Sequence, residues 1–199
     1  MKPCISYSDK LLPILETIVA NKELHAKWLN TLSYLENCGA RKIAAAEHPT
    51  HVQKEMLKHA AEEFRHALFL KQQIARLGAV LPDYRRSSLL GGWASYHYLS
   101  KLEIQVARIC KVHTLDHPLS TYILVTYLIE LRAKELYSLY QSVLKKEASP
   151  VGVKSIIFEE DEHLSEMENA LTSIPKYERY VQIGIAIESK LFCRFLEAL

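Results

Sequence analysis

The sequence predicts an all-α fold, and three observations carry the prediction. Apolar residues recur at helical spacing over long stretches, as at Trp28, Leu32, Leu35 and Ile43, and residues three or four apart share one face of a helix. Gly (6) and Pro (7) are scarce among 199 residues, whereas all-β folds need many turns. No alternating strand pattern survives for more than a few positions. With 49% hydrophobic and 24% charged residues, the chain has the balance of a globular domain and not of a disordered one. Residues 1–199 are expected to form that single domain, with a core at about 21–172.

The elements follow in order. Ser8 or Asp9 caps a short opening helix that runs to about Ala20. Asn21 caps a long second helix that reaches about Glu47. His48-Pro49-Thr50 breaks it, because proline disfavours a helical conformation in the residue before it. Thr50 caps a third helix, with Glu55 in its first turns, and Gly78 ends it. Residues 79–87 read as loop. A helix follows from about Leu89 to His113, its start weakened by Gly91-Gly92. Asp116-His117-Pro118 marks a turn, and the next helix runs from about Leu119 to Lys146. Ser149-Pro150 reads as an N-cap followed by proline at the first helical position, opening a helix to about Thr172. Ile174-Pro175 breaks again. A C-terminal helix at about 176–199 is amphipathic enough to pack on the core or to pair with a second subunit.

Composition excludes several classes. A net charge of +2 does not by itself argue for nucleic acid. Cys4, Cys38, Cys110 and Cys193 form no CxxC pair, so no zinc ribbon, rubredoxin site or thioredoxin motif can be built from neighbours. Free thiols in a reducing cytosol are the expectation. The first residues lack the apolar core of a signal peptide, and no stretch approaches the roughly 18 apolar residues of a membrane span. A cytoplasmic protein is therefore expected.

The chemistry lies in a small motif found twice. Glu63-Phe64-Arg65-His66 and Glu160-Asp161-Glu162-His163 are both Glu-x-x-His, and no other Glu in the chain has a His three residues later. Residues i and i+3 share a helix face, so each pair aims a carboxylate and an imidazole at one point. This hard and borderline donor mixture suits iron or manganese. An acid precedes each motif, Glu62 and Glu159. Each lies four residues before a motif histidine, His66 and His163 respectively, and can lean toward that ring's outer N–H.

A bundle site for two metals takes Glu-x-x-His from two helices and a single Glu from each of two others. Glu36 lies 13 residues before Pro49 and Glu63 lies 14 after it, so a hairpin at Pro49 sets them level. Glu36 also sits among Leu32, Leu35, Gly39, Ala40 and Ile43, where an unpartnered carboxylate would be costly; Glu23 and Glu47 are at helix ends. Upstream of Glu160, Glu130 is embedded in TYILVTYLIELRA and is preferred, with Glu135 as its rival. The depth match is imperfect: Glu130 lies 20 residues before Pro150 and Glu160 lies 10 after. Between Glu63 and Glu130, the segment 89–113 can cross the bundle once, since about 25 residues span roughly 37 Å at 1.5 Å each.

Glu36, EEFRH (62–66), Glu130 and EEDEH (159–163) together resemble the ordered ligand set of the ferritin-like diiron-carboxylate superfamily. The resemblance covers residues 36–163. It implies a ferritin-like four-helix bundle with a helical crossover and additional N- and C-terminal helices. It also implies that Glu63 and Glu160 bridge two iron ions, that Glu36 and Glu130 are terminal ligands, and that His66 and His163 each take one iron. Manganese is the alternative metal. Within the superfamily, AAEEFRHA (60–67) and YLIELRAKELYSLY (127–140) are similar to the tRNA hydroxylases that oxidise methylthio-isopentenyladenosine, although Glu162 stands where that type has Arg.

The function implied is that of a non-haem diiron monooxygenase. It would use O2 to oxidise a C–H bond of an organic substrate, with a modified tRNA base as one candidate and an external reductase as electron donor. Arg85-Arg86 beside Tyr84, and Lys145-Lys146, are the basic pairs that would meet RNA. The alternative is a ferroxidase, iron-handling or rubrerythrin-like peroxide-scavenging protein, which needs no organic pocket and can assemble as an oligomeric shell. His59 reads as a satisfied or exposed histidine that could line the pocket. Glu103 faces either the site or solvent, and Trp28, Trp93 and the tyrosines read mostly as core and interface.

Overall fold

Helices account for nearly all of the secondary structure. The computed structural model describes residues 6–113, 115 and 117–199; Cys4 and Asp116 lie outside the described residues. The helices are α1 (Ser8–Ala20), α2 (Lys22–Ala46), α3 (Lys54–Arg76), α4 (Gly92–Val112), α5 (His117–Lys146), α6 (Lys154–Leu171) and α7 (Tyr177–Leu196), with a single 3-10 turn at Arg86–Ser88. Among the described residues there is no strand, and no helix is long and apolar enough to cross a membrane. Cys38, Cys110 and Cys193 are free thiols.

Side-chain pairs fix the helix directions. Ser33 donates to the Ala67 carbonyl at 2.6 Å and Lys71 donates to Asn30, so α2 and α3 are antiparallel. Lys58 meets Glu166 at 2.9 Å and Arg65 meets Glu159 at 2.5 Å, which makes α3 antiparallel to α6. Lys134 meets Asp161 at 2.7 Å, placing α6 beside α5. Tyr34 stacks on Tyr96 with ring centroids 5.2 Å apart, and Lys42 pairs with Glu103. The fourth helix thus runs parallel to α2 and carries the chain back to the end where α3 began. α5 starts there and runs parallel to α3.

Local chemistry explains where these helices start. Asn21, in extended backbone, ends α1 and caps α2, its Oδ1 accepting from the N–H groups of Glu23 and Leu24 at 3.0 and 3.1 Å. Thr50 does not cap α3, which begins later at Lys54. The His48 ring takes the local donors instead, its Nδ1 accepting from the N–H groups of Thr50 and His51 at 3.2 and 3.1 Å. The fourth helix opens at Gly92, not Leu89, because Gly91 precedes it at φ 72, where a Cβ would come within 2.6 Å of Ser95 Oγ.

Ser149-Pro150 does not open α6 either. Residues 149–153 stay non-helical because Val151 and Val153 are buried and draw the segment back along α5. Gln141 accepts from the Val153 N–H at 2.9 Å and Gln73 from the Gly152 N–H at 3.4 Å, so side chains of α5 and α3 satisfy the returning backbone. This return absorbs most of the depth mismatch. With Gln141 level with Val153, Glu130 lies 11 residues from that level and Glu160 lies 7.

The last helix covers α4 and α5. Arg132 of α5 is buried, donating to Glu188 of α7 through Nε and Nη2 at 2.9 and 2.8 Å, and Tyr98 of α4 donates to the same carboxylate at 2.6 Å. A charge can be buried this way because its partner is charged and hydrogen-bonded. Helix α7 approaches α5 closely at Gly184, where an added Cβ would lie 2.6 Å from Leu128 Cδ1. Gly184→Val should therefore destabilise the fold by about 1–3 kcal/mol, read as a lower urea midpoint. An unchanged midpoint would show that the helices are not in close contact there.

Candidate metal centre

Seven side chains from four helices converge in the interior. Glu36 comes from α2, His59, Glu63 and His66 from α3, Glu130 from α5, and Glu160 and His163 from α6. Their donor atoms fall into two groups, each within 4.8 Å: Glu36, Glu63, His66 and Glu160, and His59, Glu63, Glu130 and His163. Glu63 belongs to both. Each group could hold a metal ion. All seven are buried except Glu36, which is half-buried at the wall of a cavity.

Several polar atoms aimed at the centre make no hydrogen bond and face only one another, His66 Nδ1 lying 3.2 Å from Glu160 and His163 Nδ1 3.4 Å from Glu63. Glu63 Oε1, His66 Nδ1, Glu130 Oε2, Glu160 Oε1 and His163 Nδ1 are buried and make no hydrogen bond. Buried polar groups are almost always hydrogen-bonded, so five such atoms without a hydrogen bond around one volume are what a cation site would use. The outward atoms are satisfied. His66 Nε2 lies 2.7 Å from Glu159, and His163 Nε2 lies 2.9 Å from Glu62. Each ring thus has one nitrogen fixed by a carboxylate and the other free to ligate.

The pairing corrects the expectation that Glu62 and Glu159 serve the histidine of their own motif. They serve each other's. With Nδ1 turned inward, Nε2 emerges toward the facing antiparallel helix and not back along its own. Cations complete the outer layer: Arg65 meets Glu159 at 2.5 Å and Lys58 lies 4.0 Å from Glu62.

The electrostatics describe a site short of positive charge. Burial, then the charges on Glu63 and Glu160, holds the Glu36 carboxyl well above the usual carboxylate range. Burial and the Glu130 charge do the same to Glu160. Burial lifts Glu130 to about 8, Glu160 drawing it down and the Glu63 charge pushing it up. Glu63 is the exception: burial would raise it, but His59, Glu36 and the His66 charge bring it to about 2. Burial opposes a charge on His66, yet the carboxylates of Glu160, Glu63 and Glu159 lift it to about 9. Burial and the neighbouring His59 ring lower His163. Without a metal, protons take the places that cations would fill.

His59 is the residue that spacing missed. It is buried, with Nε2 3.1 Å from Glu130 and 3.3 Å from Glu63. The available signal was its place four residues before Glu63 and seven before His66, on the same helix face. On α6 the equivalent position is Ile156, so the two groups are chemically unequal. Glu135 turns away from the centre, accepting from Ser6 Oγ, the Tyr7 N–H and Ser8 Oγ at 2.6, 2.8 and 3.0 Å. Of the rivals to Glu36, Glu23 pairs with Lys27 at 3.6 Å, and Glu47 is outside both groups. The basic pairs stay apart: Arg86 lies over Trp93, while Lys146 binds Glu16 at 2.7 Å.

A cavity of about 760 Å³ adjoins the centre. It lies between α2, α4 and α5, with the end of α7 closing one side. Leu32, Leu35, Ile43, Val125, Ile129 and Leu136 are among its walls, and Glu36, Glu63, Glu130 and Glu160 border it. The motif histidines remain on the side of α3 and α6. Among proteins already described, no family model, curated protein or solved structure matches this chain.

A stability profile follows from the shifted groups. A group whose folded-state pKa exceeds its unfolded value stabilises fully below the unfolded value and loses that contribution as pH rises through the folded one. Glu130 at about 8 and His66 at about 9 both have this sign. The metal-free protein should lose thermal stability between about pH 6 and about pH 9, and metal should remove most of that loss. A melting temperature of the metal-free protein that holds or rises over that interval would contradict these protonation states.

Proposed function

We propose that the protein is a diiron oxygenase built on a ferritin-like four-helix bundle, in which α2, α3, α5 and α6 hold two irons that use O2 to oxidise a C–H bond. The observation that carries this reading is the pair of four-residue groups sharing Glu63 beside a largely apolar cavity. Four carboxylates require four positive charges, and two divalent cations supply them. Carboxylate oxygen with imidazole nitrogen, and no thiolate, favours iron or manganese. When bound, such a pair would supply O2 activation, passing on electrons that a separate reductase delivers.

The chain supplies position, charge and dryness. Glu63 belongs to both donor groups and would serve both metals; His66 and His163 hold Nδ1 inward because Glu159 and Glu62 fix Nε2. Tyr137, fully buried, donates its hydroxyl proton to Glu36 and so orients the carboxylate that borders the cavity. The walls exclude water from the reacting carbon. Electrons come from a separate reductase in this reading. The cavity is what favours an oxygenase over an iron-handling or peroxide-scavenging protein, which has no use for an organic pocket. The reading does not require a nucleic acid.

Anaerobic titration with Fe(II), followed by O2, tests it. The wild type should take up two irons per chain and consume O2 without mineralising more. His66→Ala and Glu160→Ala should each lose iron and O2 consumption together, by at least about tenfold in affinity. Full iron loading in both variants would remove the site assignment, and uptake far beyond two irons per chain would favour storage.

A further inference from the structure

The cavity is long and its two ends differ. Its lining along α2 runs from Leu32 to Ala46, about 21 Å at 1.5 Å per residue. Leu32, Leu136, Phe192 and Phe195 surround the inner end. Ala45 and Ala46 are exposed at the other, beside Arg41, Lys42 and Glu103. Lys42 pairs with Glu103, whereas Arg41 is exposed and makes no ion pair among the described residues. The mouth therefore carries a net positive charge.

The charged groups leave one orientation for an amphiphile. The interior walls are apolar, and the carboxylates that border them are neutralised by protons or by metal, so a charged head of either sign is costly inside and belongs at the mouth. The mouth offers an anion one unpaired cation and a second that can exchange Glu103 for it. The apolar walls between take a chain, and the volume lies within the usual range for small-molecule sites. Lys42 is six residues from Glu36, about 9 Å along the helix. A head at Lys42 thus lays the middle of a chain beside the carboxylates.

We propose that the cavity binds an aliphatic carboxylate, its head held at the mouth by Arg41 and Lys42 and its chain laid past the carboxylates of the metal centre. This rests on the oxygenase reading for its consequence, though binding itself does not need the metals.

The test is displacement of a fluorescent conjugated fatty acid from the full chain, metal-free and iron-loaded, by dodecanoate, dodecanol, dodecylamine and isopentenyladenosine 5′-monophosphate. Dodecanoate should compete best. The double variant Arg41→Gln with Lys42→Gln should weaken dodecanoate by about tenfold and leave dodecanol within about twofold. Ala45→Trp, an exposed position at the mouth, should block all of them while helicity and melting temperature stay as in wild type. If iron is bound but the probe is not, the cavity inference is overturned and the metal reading survives. If the probe binds with carboxylate preference but iron does not, the inference holds and the oxygenase reading falls. Preference for the amine or the nucleotide overturns the proposal.

Discussion

Four carboxylates meeting in an apolar interior set the terms for the rest of this molecule. Glu36, Glu63, Glu130 and Glu160 come from four helices, and like charges at such distances cannot all be ionised in a dry interior without positive charge among them. In the absence of metal the chain answers with protons, keeping Glu63 ionised and His66 charged while the others are held neutral or nearly so. The centre is thus prepared for cations by its own unfavourable electrostatics, and a metal that binds exchanges with protons already there.

The surroundings support that centre in layers. Imidazole rings of α3 and α6 stand between the carboxylates and a second tier of acids, and Arg65 and Lys58 neutralise that tier from outside. Because Glu62 reaches His163 and Glu159 reaches His66, the layer also ties the two antiparallel helices together. Orientation of the candidate ligands and association of the helices are one set of contacts. Loss of either acid would loosen both the ring it fixes and the helix pair it joins.

What the sequence made legible was periodicity and spacing. Glu-x-x-His is visible because three residues bring a donor pair to one helix face, and Glu36 and Glu130 stood out as charges within apolar runs. The elements themselves were legible for the same reason, Asn21 as a cap among them. What escaped was decided by facing elements. His59 shares the helix face of Glu63, but its meaning depends on Glu130, which is 71 residues away. The crossed pairing of Glu62 and Glu159 depends on which helix lies opposite. Ser149-Pro150 is a sound local start signal, overruled because Val151 and Val153 gain more from burial than a helical turn there would give. The cavity could not be read at all, since it is space left between three helices.

Arg132 joins distant parts of the chain. Its guanidinium lies over the rings of Tyr7 and Phe192, binds Glu188 and Glu135, and sits where the Tyr7 hydroxyl donates to the Ser189 carbonyl at 2.8 Å. The segment before α1 and the last helix therefore close over the same buried cation. During synthesis the early helices leave the ribosome long before α7 does, so Arg132, already beside Glu135, must wait for Glu188. The cavity shares that delay, because Phe192 and Phe195 form part of its wall. Assembly thus finishes by bringing the two ends of the described chain together, and a nascent chain arrested before α7 would carry all seven candidate metal-binding residues but neither the finished cavity nor the Arg132–Glu188 pair.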